Sequence, residues 1–189
     1  MNNSIKKITG IAIFTAIVIV LQMLGSFIRF GVFSISLVLI PIVVGAALYG
    51  PLAGAWLGFV FGMTVLLSGD AAAFLAINVY ATVLVVLLKG SLCGLLSGIV
   101  YRLLRKTPIV ATILAAVTCP LVNTGVFLIG CLMFFMPTIT QWAQGLGFDN
   151  AYRYMLVGFV GFNFLFELLT NIILSPVIIR VIRMGSRED

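Results

Sequence analysis

Long stretches without any charged residue constrain this chain more than any other feature of its sequence. No charged residue occurs at positions 30–69 or 107–148, and the apolar runs are about 20 residues long. A helix of that length crosses the hydrocarbon core of a bilayer. In lipid every backbone amide must pair internally, so only helices and closed barrels can span it. Barrel strands alternate in polarity over roughly 10 residues, which these runs do not do. The pattern predicts membrane-spanning helices.

Composition excludes a water-soluble fold. Hydrophobic residues make up 62% of the 189 residues, and charged residues only 8%, against about 25% in an ordinary soluble domain. The mean hydropathy is +1.27. A soluble domain of this size needs far more polar surface. We therefore predict an all-α integral membrane protein with the lipid bilayer as its solvent.

The runs predict a single domain over residues 1–189, built as a bundle of six transmembrane helices. Gly50 and Pro51 separate the second and third runs, since both residues interrupt helices. The first run follows Lys6 and Lys7 without a small-residue cleavage site after it, so we interpret it as a retained helix. The expected spans cover residues 8–27, 35–49, 52–67, 81–103, 108–135 and 153–182.

The basic residues predict the orientation of the bundle. With the N-terminus inside, Arg29 and Arg153 fall outside, and eight basic residues lie at cytoplasmic ends: Lys6, Lys7, Arg102, Arg105, Lys106, Arg180, Arg183 and Arg187. Short cytoplasmic loops carry such an excess of Lys and Arg. Both termini are thus predicted to be cytoplasmic, in agreement with an even number of spans. The connections at 68–80 and 136–152 then face outward.

Several other functions lack the residues they require. The basic residues form no face interleaved with aromatics, so nucleic acid is not an expected partner. There is no histidine, no phosphate-binding loop and no hydrolase motif, so we expect no enzyme activity, no metal and no cofactor. The cysteines lie inside apolar runs without metal-type spacing and are predicted to be buried free thiols: Cys93, Cys119 and Cys131.

Small residues recur every four positions on three of the predicted helices. Gly54, Gly58 and Gly62 form one stripe, and a second follows at Gly90, Gly94 and Gly98. Such stripes let helix backbones approach closely in lipid. We expect them to pack inside the bundle, with docking of another subunit as the alternative. Ala12 and Ala16 form a shorter pair of the same kind.

Polar residues inside the spans are the candidate site. Ionisable groups are costly in the bilayer, so Lys89 and Glu167 are functional candidates. Asn123 and Asn163 lie at similar expected depth on the fifth and sixth spans, and Pro120 precedes Asn123. These side chains are predicted to bind a small solute. The alternative is that Lys89 and Glu167 form a structural ion pair and that the asparagines join helices. For the deeper Asn171, the binding and the structural interpretation have equal weight.

The aromatic residues near the expected membrane boundaries are predicted to anchor the protein there. They are Trp56, Tyr80, Trp142 and Tyr152. Trp142 and Tyr152 lie in an expected outer connection, where they could instead fold over a captured solute.

Four segments resemble the substrate-binding S components of energy-coupling factor (ECF) transporters. They are FSISLVLIPIVVGAALYGPLAGAWLGFVFG at 33–62, LLKGSLCGLLSGIVYRLLRK at 87–106, NTGVF at 123–127 and GFNFLFELLTNIILSPVI at 161–178. The resemblance implies six helices, cytoplasmic termini and a vitamin site open to the outside. Its substrate residues on the last three helices would correspond to Lys89, Asn123, Asn163 and Glu167. It also implies a prokaryotic cytoplasmic membrane as the location.

The resemblance implies partners too. A transmembrane coupling protein and two ATPase subunits would supply the energy, and the family's A-x-x-x-A docking motif matches Ala12 to Ala16. The second and third helices are similar to those of riboflavin and pantothenate carriers. The acidic signature of riboflavin carriers is missing at 31–37, and Lys89 suits the carboxylate of pantothenate unless Glu167 neutralises it. The alternative function is a self-sufficient secondary transporter in which Glu167 exchanges protons.

Overall fold

The computed structural model describes residues 3–26, 29–30, 33–34 and 37–185. For residues 3, 29–30, 33–34, 159–160, 162–163, 166 and 183–185 it describes the backbone alone. This part of the chain is helical nearly throughout. Its helices are α1 (Asn3–Gly25), α2 (Leu39–Tyr49), α3 (Pro51–Leu67), α4 (Ala72–Leu75), α5 (Val79–Leu103), α6 (Pro108–Gly130), α7 (Met136–Gly145), α8 (Ala151–Tyr154), α9 (Phe162–Ile173) and α10 (Ser175–Gly185).

Within the described ranges, three helical stretches are long and apolar enough to cross a membrane. They are Ser4–Gly25, Val79–Leu103 and Pro108–Gly145. Helices α2 and α3 are apolar but shorter, with 11 and 17 residues. The expected helical membrane protein is confirmed in this coarse form, while the number of spans stays a prediction.

The two glycine stripes pack against each other and hold α3 to α5. A Cβ added at Gly58 would collide with the carbonyl oxygen of Gly90, and one at Gly54 with that of Gly94. At Gly62 the added atom would lie 2.9 Å from the carbonyl oxygen of Val86. The helices are therefore antiparallel and touch backbone to backbone. The prediction that the stripes pack inside the bundle is confirmed.

Helix α2 lies at the centre of the bundle, and α1 lies at its edge. Leu39, Ile42 and Val43 of α2 are fully buried. Gly50 follows the last residue of α2 and has a positive φ of 97°, which glycine adopts readily. Pro51 then begins α3. Helix α1 contacts the bundle through Phe14, Val18 and Leu21, and most of its other side chains face outward.

The structure adds elements to two of the expected connections and subdivides the last expected span. Arg29–Phe30 and Phe33–Ser34 form a short antiparallel ribbon before α2. The connection expected at 136–152 is helical over α7, joined to α6 through a π-helical segment at Cys131–Phe135. Ile139 and Ala143 are the buried residues of α7, so this segment is an amphipathic helix rather than an irregular loop.

The last expected span, 153–182, is also subdivided. It consists of α8, a π-helical segment at Met155–Gly161, α9 and α10. The break between α9 and α10 falls at Leu174, two residues before Pro176. Proline has no amide hydrogen to donate, which explains why the helix is interrupted there.

Candidate functional site

Three helices bring the predicted polar residues together. Lys89 lies near the middle of α5, Asn123 in the second half of α6, and Glu167 and Asn171 one turn apart on α9. We call these four residues the polar cluster. Glu167 is 2% exposed, Asn123 6% and Asn171 1%. Such burial of polar side chains in an apolar bundle requires either internal partners or a ligand.

The ammonium group of Lys89 lies between two phenylalanine rings. Its Nζ atom is 5.8 Å from the ring centroid of Phe61 on α3 and 5.3 Å from that of Phe127 on α6. Both distances are within the range of a cation–π interaction. The two rings thus lie on either side of the positive charge of Lys89, whose side chain is partly buried.

Glu167 carries the opposite charge of the cluster. It is close enough to Lys89 for an electrostatic attraction, and the side-chain amide of Asn123 interacts with its carboxyl group. Among the described side chains no direct ion pair joins Lys89 to Glu167; the pair that the structure does show on the surface is Arg153–Asp149, at 3.9 Å. The charges therefore compensate each other at a distance, with Lys89 held by the rings.

Among the residues that the structure describes, three oxygen atoms of the cluster have no hydrogen-bond partner. They are Oδ1 of Asn123, Oε2 of Glu167 and Oδ1 of Asn171. The amide nitrogen Nδ2 of Asn171 does have a partner, since it donates to the backbone oxygen of Glu167 at 2.8 Å. A buried acceptor left unpaired costs about 1–3 kcal/mol, so three neighbouring ones need an explanation. A ligand that donates hydrogen bonds would provide it.

Asn163 lies on α9 one turn before Glu167, but its side chain lies outside the described residues. Its predicted role in the site therefore stays a prediction. Phe61 and Phe127 were not predicted, because nothing in an apolar run distinguishes a ring that faces a lysine.

An aromatic cluster extends from the site toward α7. Phe74 of α4 packs against three other rings. Its ring centroid lies 5.5 Å from that of Phe127, 5.1 Å from that of Phe135 and 5.6 Å from that of Trp142. Trp142 is thus packed on the bundle. Tyr80 and Tyr152 are 90% and 58% exposed and have the free surface that an interface anchor requires.

A second polar contact links α1 to the connection after α3. The amide nitrogen Nε2 of Gln22 donates to Oδ2 of Asp70 at 2.6 Å, although Gln22 is almost fully buried. This contact fixes the end of α1 against the bundle, and no sequence pattern predicts it. The cysteines Cys93, Cys119 and Cys131 are free and buried, as predicted.

The predicted docking pair lies on the outer surface of α1. Ala12 and Ala16 are exposed, on the side of the helix opposite Val18, which packs into the core. Larger apolar side chains flank them on this side, including Ile8 and Val20. The pair therefore lies in a shallow, apolar stretch of surface that another helix could approach.

Comparison with known proteins identifies a family. The family model described as "ECF transporter, substrate-specific component" matches residues 6–179. That range contains every residue of the polar cluster as well as Ala12 and Ala16. Neither the curated proteins nor the solved structures contain a match to the chain.

Proposed function

Because the chain belongs to the family of ECF transporter substrate-specific components, and is therefore a membrane-embedded substrate-binding protein rather than an enzyme, we propose that it captures a vitamin or related small molecule for import. In this proposal the polar cluster binds the solute, together with Asn163. The subunit itself hydrolyses no ATP and passes its solute on through partner subunits.

One observation supports this site above all: within the described part of the chain, three buried oxygens of the polar cluster lack hydrogen-bond partners. A cluster that served only to join helices would satisfy its own acceptors, because unpaired ones destabilise the fold. Their position beside Lys89, Phe61 and Phe127 supplies charge and aromatic surface as well. Solute sites in membrane bundles commonly combine such groups.

The proposed topology has six spans in one domain, with both termini in the cytoplasm of a prokaryotic cell. The excess of Lys and Arg at one end of the spans supports this orientation. The solute would then enter from the outside, at the end where Oδ1 of Asn78 caps α5 by accepting a hydrogen bond of 3.0 Å from the amide of Ala81.

The proposed partners are a transmembrane coupling protein and two ATPase subunits. Ala12 and Ala16 are the proposed contact with the coupling protein, since their exposure on α1 leaves room for a second helix. The candidate solutes are pantothenate and riboflavin-like vitamins.

Uptake in cells tests this function. Cells that express the chain should import the solute only when the ATPase subunits are present, and collapse of the proton gradient alone should not stop import. The alternative, a proton-coupled secondary transporter that uses Glu167, predicts the reverse: import without the ATPase subunits and loss of import when the gradient collapses.

A further inference from the structure

The polar-cluster atoms that have no hydrogen-bond partner among the described residues are all acceptors. Oδ1 of Asn123, Oδ1 of Asn171 and Oε2 of Glu167 are amide and carboxyl oxygens. An amide oxygen cannot donate a hydrogen bond, and an ionised carboxylate cannot either. The groups that would satisfy these oxygens are therefore O–H or N–H donors.

The orientation of both amides follows from their contacts. Asn171 donates its Nδ2 to the backbone oxygen of Glu167, which leaves its Oδ1 free to accept. Asn123 faces the carboxyl group of Glu167, to which only its NH₂ end can donate. Rotating either amide by 180° would place oxygen against oxygen. Each amide thus uses its NH₂ group within the cluster and keeps its oxygen as an acceptor.

The positive charge of Lys89 is already compensated. Its ammonium lies between the rings of Phe61 and Phe127 and is attracted by Glu167. A carboxylate or phosphate on the solute would compete with Glu167 for Lys89 and would lie beside a like charge in a medium of low dielectric constant. The cluster therefore disfavours an anion.

We infer, resting on the proposed function, that the part of the solute bound by the polar cluster is rich in O–H or N–H donors and carries no negative charge. A hydroxylated chain, an amino-substituted heterocycle or an ammonium group has this chemistry. A carboxylate such as that of pantothenate does not.

The solute that remains bound during purification tests this inference. The protein is extracted from the expressing cells in detergent, denatured, and the released small molecules are identified by mass spectrometry. Asn123→Leu should lose the enriched compound, whereas Gln144→Leu, a matched change at an exposed position of α7, should keep it. A neutral or cationic compound with several donors is expected. Enrichment of a compound whose only polar group is a carboxylate or phosphate would overturn the inference.

A pair of probes makes the test quantitative. Pantothenate and pantothenol differ only in that a carboxylate is replaced by a hydroxymethyl group, and both are titrated into the purified protein. Wild-type protein should bind pantothenol at least as tightly as pantothenate. Glu167→Gln keeps an acceptor oxygen and removes the charge, so it should shift the affinity ratio toward pantothenate by about tenfold. Tighter binding of pantothenate to the wild type contradicts the inference.

The two proposals fail in different experiments. An anionic solute whose import still depends on the ATPase subunits overturns the inference about charge and leaves the transport function standing. A neutral solute that is imported without those subunits overturns the transport function and leaves the inference about charge standing.

Discussion

Lys89 and Glu167 are the costliest residues of this protein to keep in a membrane. The structure shows how that cost is reduced: two rings hold the ammonium group, and the carboxyl group lies near enough to attract it. The unpaired oxygens show that the reduction is incomplete. The free energy of folding is therefore smaller than it would be with these oxygens paired. A bound solute that donates hydrogen bonds to them would restore the missing stabilisation.

Neutralising either charged residue should destabilise the protein more than neutralising both. Removing one partner of a buried pair costs about 3–5 kcal/mol, and we expect less here because Lys89 is only partly buried. Lys89→Gln and Glu167→Gln should each lower the thermal unfolding temperature in detergent, and the double variant should recover part of the loss. If the double variant is as unstable as the sum of the single ones, the two residues are not electrostatic partners.

Asn123→Leu should weaken solute binding without unfolding the protein. The leucine fills a similar volume but leaves a donor of the solute unpaired, which costs about 1–3 kcal/mol, or roughly a 5- to 150-fold increase in Kd. Asn163→Leu is expected to behave in the same way. Binding titrations measure both, with Gln144→Leu as the control. Unchanged affinity would remove the substituted residue from the site.

The site was predictable where its residues are rare. Lys89 and Glu167 stand out because ionisable residues within the spans are few, and Asn123 because an amide follows Pro120. The rings of Phe61 and Phe127 were not predictable, since the chain contains 15 phenylalanines and apolar runs give no sign of which one faces a charge. The contact between Gln22 and Asp70 was missed for a similar reason: it joins residues 48 positions apart.

At the level of helices, the glycine stripes determine how α3 and α5 pack. Spacing of four residues puts small groups on one face, and two such faces allow backbone contact. This arrangement was predictable because it depends on local periodicity. Helix α7 was not predicted, because its polar residues, such as Gln141 and Gln144, resemble those of a loop when its buried face is unknown.

A methyl group at Gly58 should disrupt this packing. The added Cβ of Gly58→Ala would collide with the carbonyl oxygen of Gly90, and a backbone atom cannot rotate away. Overpacking of this kind costs typically about 1–3 kcal/mol, so the unfolding temperature should fall. Gly125→Ala is the matched control, because nothing lies within 4 Å of its added Cβ. Equal stability of the two variants would argue against the contact between α3 and α5.

For the whole molecule, the position of α1 separates the proposed docking surface from the polar cluster. The helix is attached through one side and presents Ala12 and Ala16 on the other, while the polar cluster lies on α5, α6 and α9. Partner docking and solute binding are thus proposed to occupy different surfaces, which allows them to be separated by mutation.

Ala12→Trp and Ala16→Trp should abolish uptake in cells and reduce co-purification with the coupling protein. Their bulk would hold a partner helix away from α1. Solute affinity of the isolated chain should stay the same. Ile17→Trp is the control, since Ile17 is 38% exposed and lies about 100° around the helix from Ala16. Normal transport by both alanine variants would disprove the docking surface, as would loss of solute binding in detergent.

Reconstitution in liposomes tests the central claim most directly. The purified chain is inserted alone or together with the coupling protein and the ATPase subunits, and accumulation of the labelled solute is measured with ATP or with an imposed proton gradient. The account predicts that the chain alone binds the solute without accumulating it, and that the complete assembly accumulates it when ATP is present. Accumulation by the chain alone, driven by the proton gradient, would contradict the account.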